Sequence, residues 1–139
     1  MAELFTLEVH TPYRLFFKGK VEALTVMLED GEIGILAHHE AVTARMKACL
    51  VKIKGQDGRW KTGFASEGIL EVAGGKTTLI TDSAEWPDEI DYDRAMDAKR
   101  RAEEIARDAG FKFEAETAKQ AMERAEMRLK AWELGNRQK

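Results

Sequence analysis

The 139-residue sequence is 44% hydrophobic and 34% charged, with a formal net charge of −3 and a single cysteine, Cys49. A chain of this length can bury a real core in one domain or two small ones, and a lone cysteine excludes a disulfide-stapled scaffold. The apolar runs fall far short of the ~20 residues of a membrane span, no leader peptide pattern follows Met1, and no basic tract suggests nucleic acid as a partner, so we expect a soluble, cytosolic protein.

The first part of the chain has the pattern of short β-strands. In residues 5–9, apolar and polar residues alternate, which places Phe5, Leu7 and Val9 on one face. Turn-forming residues separate the runs, and no helical segments connect them as parallel strands would require. We therefore expect eight or more antiparallel strands in a sandwich or a barrel. The further runs are Arg14–Phe17, Val21–Leu28, Glu32–Leu36, Ala48–Lys54, Trp60–Ala65, Gly68–Val72 and Thr77–Thr81.

The composition changes near residue 88, which predicts a boundary between a β-domain (1–87) and a helical domain (88–139). Nine of the eleven glycines precede Pro87, and ten alanines follow it. Asp91 is the predicted N-cap of a first helix, with Ile90 as its hydrophobic staple. Gly110 interrupts the pattern as a C′ glycine would. We expect an antiparallel hairpin of two helices, about 18 and 20 residues long, joined near Gly110–Phe113. The predicted seam consists of Ala95, Ala98, Ala102, Ile105, Ala106 and Ala109, and of Ala118, Ala121, Ala125, Leu129 and Trp132.

Four arginines occupy matching positions on the two predicted helices. Arg94 and Arg101 are seven residues apart and Arg124 and Arg128 are four apart, so each pair shares one side of its helix. In an antiparallel hairpin that meets at its alanines, both pairs would face the same side, and their guanidinium groups would converge. This arrangement favours a phosphate-bearing anion. An acidic partner protein and an ordinary solvated face remain open as alternatives.

The other candidate sites are weaker. His38, His39 and Glu40 are adjacent in sequence and therefore poorly placed to share one metal ion, so we predict no metal site. Cys49 lies in an apolar run and is interpreted as a packing residue. The segment 74–78 lacks the glycine spacing and the following helix of a phosphate loop and is interpreted as a hairpin turn. No arrangement of residues indicates catalysis, so we expect a non-catalytic protein.

Three segments carry a resemblance to a known family. Residues 31–39 read Gly-Glu-Ile-Gly-Ile-Leu-Ala-His-His, residues 68–72 read Gly-Ile-Leu-Glu-Val, and residues 90–95 read Ile-Asp-Tyr-Asp-Arg-Ala. In this order and at these intervals they resemble the epsilon subunit of bacterial F-type ATP synthases over essentially the whole chain. The first is similar to the family's G-E-L-G-I-L-P-G-H, and the third fits its I/L-D-x-x-R-A element.

The resemblance implies a ten-stranded β-sandwich followed by a helical hairpin, in a proton-translocating ATP synthase. It implies a place on the central rotor, bound to the gamma subunit and to the ring of c subunits, as a peripheral protein on the cytoplasmic face of the bacterial plasma membrane. Glu32 matches a position that contacts the ring, and His39 one near the gamma contact. The hairpin would either lie folded or extend toward the beta and alpha subunits, where its basic residues would block ATP hydrolysis.

Some members of the family bind ATP on the folded hairpin, as a regulatory ligand and not as a required cofactor. By resemblance, Ile90 and Asp91 would contact adenine, and Glu85 would help to fix the nucleoside. The motif residue Ala95 belongs to the same set, and the phosphates would lie against Arg94, Arg101, Arg124 and Arg128. The alternative is a rotor subunit whose hairpin inhibits by position alone, with Arg124 and Arg128 contacting an acidic stretch of the beta subunit. A free-standing enzyme or ligand-binding sandwich that resembles the family by chance is the third hypothesis.

Two departures from the family pattern concern the β-domain. Ala37-His38 replaces the usual Pro-Gly, so this loop loses a fixed φ and a flexible residue. Ser66-Glu67-Gly68 replaces Ser-Gly-Gly, which we expect to alter a turn near the rim of the sandwich.

Overall fold

A computed structural model describes residues 3–137 of the chain. Two compact units divide between Glu85 and Trp86, whereas the composition placed the boundary between residues 87 and 88. Within residues 3–137, no helix combines the length and the apolar character needed to cross a membrane.

The first unit is a β-sandwich of nine described strands, against the ten that the resemblance implies. The long strand β2 serves both layers, because its first half pairs with β1 and its second half with β3 and β5. The strands in chain order are β1 Phe5–His10, β2 Leu15–Leu28, β3 Gly31–Leu36, β4 Val42–Met46, β5 Cys49–Gly55, β6 Trp60–Ala65, β7 Gly68–Ala73, β8 Lys76–Thr81 and β9 Ala84–Glu85.

The alternating pattern of the first strand places its apolar residues in the core, as predicted. Phe5, Leu7 and Val9 are buried, and the residues between them are less so. Burying one such side chain contributes about 1.5–3 kcal/mol, so β1 is held mainly by this face. Cys49 is also buried and free, which confirms its interpretation as a packing residue.

One strand pairing differs from the expected antiparallel arrangement. β1 and β8 pair in parallel, from Thr6 opposite Lys76 to His10 opposite Ile80. A parallel pair needs a long connection, but the connection need not be a helix. Here the strands from β2 to β7 form that connection, so the absence of helical segments did not exclude the pairing.

The second unit is a helical hairpin preceded by a 3₁₀ turn, Pro87–Glu89. Helix α1 spans Tyr92–Asp108 and helix α2 spans Lys112–Arg137, with 17 and 26 residues. The link is therefore shorter, and the second helix longer, than the sequence suggested. Gly110 follows the C-cap Ala109 but does not adopt a positive φ, so its predicted role as a left-handed C′ glycine is wrong.

Small residues form most of the buried positions of the hairpin. The buried set is Ala95 and Ala102 on α1, and Ala118, Ala125, Leu129 and Ala131 on α2. Five of these six belong to the predicted seam. Ile105 does not behave as predicted, because 54% of it is exposed. Alanine permits close approach but removes little apolar area from water, so the hairpin has a modest packing energy for its length.

Candidate functional site

The start of α1 is built as the sequence predicted. Asp91 is the N-cap, and its Oδ1 accepts a hydrogen bond from the backbone N–H of Arg94 at 3.0 Å. Ile90, which precedes the cap, is buried, as is Ala95 in the first turn. The cap fixes where the helix begins and thereby sets the side from which Arg94 projects.

The four arginines lie on the two helices in the expected order. Arg94 and Arg101 are exposed on α1, whereas Arg124 and Arg128 are half-buried on α2. That their guanidinium groups converge stays a prediction from the helical spacing.

Arg100, and not Arg101, forms the ion pairs with the acidic residues that lie near Arg101 in sequence. Asp97 and Glu104 lie within 3.3 and 3.7 Å of the guanidinium of Arg100. Arg101 instead donates from Nε to the backbone carbonyl of Asp97 at 3.5 Å, which is a weak bond. Asp97 and Glu104, the acidic residues near Arg101 in sequence, therefore form their ion pairs with Arg100 and not with Arg101.

The helices separate into an apolar cleft near their linked end. A cavity of about 420 Å³ lies there, with Arg101 and Ile105 from α1 and with Phe113 and Thr117 from α2 in its lining. The cleft explains why Ile105 is exposed, since the small residues around it leave space that the facing helix does not fill.

At the opposite end of the hairpin, the structure shows two contacts that the sequence analysis missed. The rings of Tyr92 and Trp132 lie 4.4 Å apart between centroids, tilted by 43°. Gly135 packs so closely on Pro87 that a Cβ on Gly135 would overlap the proline ring. A proline just before α1 and a glycine in the last turns of α2 were the available signals. These contacts join the first turn of α1, and the 3₁₀ turn that precedes it, to the last turns of α2, as an antiparallel hairpin requires.

The remaining predicted residues lie in the β-sandwich. Glu85 ends β9, where it pairs with Phe64 of β6, and is half-buried. Glu32 is exposed on β3, opposite Met27. His39 follows β3, and its Nδ1 lies 2.7 Å from the carbonyl oxygen of Glu40.

His38 stands where the family that the sequence resembles has a glycine, and it keeps a glycine-like backbone. Its φ is +65°, and within residues 3–137 His38 is the residue other than glycine that has a positive φ. A side chain in this left-handed region costs roughly 1–2 kcal/mol, although histidine tolerates it better than most residues. The His38 Nε2 lies 2.6 Å from the Glu3 carboxylate, and both side chains are exposed. The loop therefore retains the turn without the glycine.

No group of three or more histidine, cysteine, aspartate or glutamate side chains gathers into a metal-binding arrangement in the described part of the chain. His38 and His39 follow β3, whereas His10 ends β1 and lies 2.8 Å from Glu8 through its Nε2.

Comparisons with known proteins cover both units. The family model described as ATP synthase, Delta/Epsilon chain, beta-sandwich domain matches residues 4–87, and the model of the long alpha-helix domain matches residues 88–133. An ATP synthase epsilon chain of Caldanaerobacter subterraneus subsp. tengcongensis is 46% identical over 131 residues, covering 94% of each chain. That of Caldicellulosiruptor bescii is 42% identical over 130 residues, covering 94% of this chain and 93% of the relative.

Solved structures share the fold at lower identity. A chain of the Euglena gracilis mitochondrial ATP synthase, in an OSCP/F1/c-ring structure, has a TM-score of 0.76 at 21% identity, covering 88% of this chain and 78% of that one. A chain of the Tetrahymena thermophila mitochondrial ATP synthase, from a structure of its central stalk and c-ring, has a TM-score of 0.60 at 13% identity, covering 94% and 98%. Together with the capped Ile-Asp-x-x-Arg-Ala segment and the two matched domains, these findings show that the chain belongs to the delta/epsilon chain family of ATP synthase, as an epsilon-type member.

Proposed function

We propose that this chain is a non-catalytic rotor subunit that helps to couple proton flow to ATP synthesis, on the cytoplasmic face of the bacterial plasma membrane. Its β-sandwich binds the gamma subunit and the c-ring, with Glu32 toward the ring and His39 near gamma. The exposure of Glu32 on β3 supports this role, because a carboxylate there is available to a partner. A packed sandwich also deforms little under load, which suits a part that transmits torque.

The helical hairpin supplies regulation. In its extended form it reaches the beta and alpha subunits and blocks ATP hydrolysis, and in its folded form it releases them. One feature supports a hairpin that opens: its buried positions are mostly alanine, which removes little apolar area from water. Its free end is closed by contacts that include Tyr92 with Trp132 and Pro87 with Gly135. A modest closing energy lets a ligand or a partner decide between the two forms.

ATP is the ligand that we propose for the folded hairpin. The carrying observation is that four arginines lie on the two helices of one hairpin, while Arg100 takes the acidic neighbours of Arg101. Arg94, Arg101, Arg124 and Arg128 hold the phosphates. Ile90, Asp91 and Ala95 lie at the adenine, and Glu85 helps to fix the nucleoside.

Binding to the folded form alone stabilises that form by RT ln(1 + [ATP]/Kd), which is about 2.7 kcal/mol when ATP exceeds its Kd a hundredfold. A fall in ATP therefore releases the inhibitory form.

Calorimetry tests the nucleotide site directly. ATP titrated into the full-length chain should release heat, and Arg124→Ala with Arg128→Ala should weaken binding at least tenfold, since charge-assisted bonds to phosphate are lost. Arg107→Ala with Arg137→Ala is the control, because it removes the same charge from two exposed positions of the hairpin, one on each helix. Equal affinity of the two double variants contradicts the assignment, provided that circular dichroism shows both sandwiches folded.

The alternative function is inhibition by position alone, with Arg124 and Arg128 on an acidic segment of the beta subunit. Arg124 and Arg128 lie four residues apart on one side of α2, which puts two positive charges within reach of one acidic segment. No heat with millimolar ATP, combined with inhibition that is lost in the Arg124→Ala and Arg128→Ala variant, would establish this second role.

A further inference from the structure

The apolar cleft between α1 and α2, at their linked end, has walls that stay open to water. Besides alanines, the walls include Ile105 and Phe113, which are 54% and 77% exposed. The facing helix fills neither side, so a cavity of about 420 Å³ remains between them. An exposed apolar surface with polar residues at its rim is typical of a site where another protein surface packs.

The lining of the cleft carries one charge of each sign. Arg101 and Glu114 both line it, and both residues are exposed. Within residues 3–137, neither side chain forms an ion pair, and Arg101 donates one weak hydrogen bond to the backbone carbonyl of Asp97. Both charges are therefore available to a partner.

The two charges lie at diagonally opposite positions of the cleft. Arg101 lies seven residues before the end of α1 at Asp108, and Glu114 lies two residues after the start of α2 at Lys112. In an antiparallel hairpin their levels therefore differ by five residues, which is about 7.5 Å along the helices. Because they also stand on different helices, the line that joins them crosses the cleft diagonally.

This charge pattern decides which partner suits the cleft. A polyanion would gain from Arg101 but would meet the Glu114 carboxylate, and a basic surface would meet the converse problem. A partner that satisfies both groups must carry both charges at the same spacing. A second copy of this chain does so. A twofold axis through the centre of the cleft, perpendicular to the line between the two charges, places Arg101 of each copy opposite Glu114 of the other.

We infer that this cleft is a self-association surface through which two copies of the chain pair by their closed hairpins. Two symmetry-related ion pairs between Arg101 and Glu114 fix the orientation, and the apolar linings pack against each other. The nine lining residues are fewer than the roughly 20–30 a side of a standard interface, so the association should be weak, in the micromolar range.

Pairing has a consequence for the hairpin itself. Because both helices wall the cleft, an open hairpin lacks the surface, and self-association stabilises the closed form by mass action. The inference concerns the hairpin alone and does not depend on nucleotide binding, so its test is carried out without ATP.

Sedimentation velocity of the full-length chain tests the inference. We expect the sedimentation coefficient to rise from the monomer value to the dimer value between low micromolar and near-millimolar concentration. Arg101→Glu should raise the dimer dissociation constant at least about tenfold, because one substitution makes both symmetry-related pairs repulsive. Glu114→Arg should do the same. The two substitutions together exchange the signs and should return the dissociation constant to within about threefold of its original value.

Two matched controls separate the cleft from the rest of the hairpin surface. Arg107→Glu makes the same charge change on α1, at an exposed position about 120° around the helix from Arg101 and outside the lining. Phe113→Ser should abolish pairing, whereas Phe111→Ser should preserve it, because Phe111 is similarly exposed, at 73%, but does not line the cleft.

All of these positions are exposed, so helical circular dichroism should be unchanged in each variant. A chain that stays monomeric throughout the concentration range would overturn the inference. Equal effects of Arg101→Glu and Arg107→Glu would also overturn it, as would equal effects of the two phenylalanine substitutions. So would a folded double variant, Arg101→Glu with Glu114→Arg, that pairs no better than either single variant.

Discussion

Gly135→Ala should open the free end of the hairpin. A Cβ at this position would overlap the Cβ of Pro87 and lie 3.1 Å from its Cγ. The overlap cannot be relieved by rotating a flexible side chain, because Pro87 is a ring. Pro87 also begins the 3₁₀ turn, where its carbonyl accepts from the N–H of Ile90 at 3.3 Å. The end of α2 must therefore move away.

Two opposing effects determine the size of the change. Overpacking of this kind costs about 1–3 kcal/mol. The same substitution raises helix propensity by up to about 1 kcal/mol, and this gain is present whether the hairpin is open or closed. The closed form should therefore lose about 2 kcal/mol relative to the open form, a factor of roughly thirty in their ratio. The substitution leaves α2 helical while it weakens closure.

Distance measurements between spin labels at Asp93→Cys and Glu133→Cys would report closure, since both positions are exposed near the free end. Cys49 is buried and should not take the label. Gly110→Ala is the matched control, because nothing lies within 4 Å of its added Cβ. We expect long distances to appear in Gly135→Ala only and to decrease when ATP is added. Identical distance distributions in the two variants would refute the reasoning.

Three further substitutions or treatments test other parts of the structure. Gly68→Ala should destabilise the sandwich by about 3 kcal/mol in thermal unfolding, because the added Cβ would overlap the backbone carbonyl of Ile80. Gly34→Ala is the control: nothing lies within 4 Å of its added Cβ, so it should change the free energy of unfolding by less than about 0.5 kcal/mol. Cys49 should resist iodoacetamide at pH 8 until the protein unfolds, because burial raises the pKa of its thiol to about 11; rapid alkylation of the folded chain would contradict this. Asp91→Ala should remove the α1 cap and lower hairpin stability by about 1 kcal/mol, measured by helical circular dichroism, and Asp91→Asn should restore most of it.

The regular parts of the fold were predictable because they follow from one-dimensional patterns. Alternation alone placed Phe5, Leu7 and Val9 in the core. The short polar residue Asp91 before an alanine-rich run predicted the helix start, and its side chain does cap α1. Both signals are local, so the sequence carries them without knowledge of the partner elements.

The errors concern features that depend on distant partners. Strand β4, Val42–Met46, has few strongly apolar residues, so only its pairing with β7 identifies it as a strand. The Lys18-Gly19-Lys20 segment interrupts the apolar pattern and suggested a break, yet β2 continues through it because β1 supplies its hydrogen-bond partners. The parallel pairing of β1 with β8 likewise has no local signal.

In the candidate site, too, features that depend on local spacing were predictable and contacts between distant segments were not. Helical spacing predicted which arginines share a side, and the structure places all four on the helices. The closing contact of Gly135 with Pro87 depends on a close approach of two segments almost fifty residues apart, which no periodicity encodes.

The regulatory claim is tested most directly by ATP hydrolysis in a catalytic head reconstituted with either the full-length chain or a version that ends at Asp88. The account predicts that the full-length chain inhibits hydrolysis at low ATP and less at high ATP, and that the shortened chain binds the complex without inhibiting at either concentration. Equal inhibition by both chains would place inhibition in the β-sandwich and contradict a regulatory hairpin.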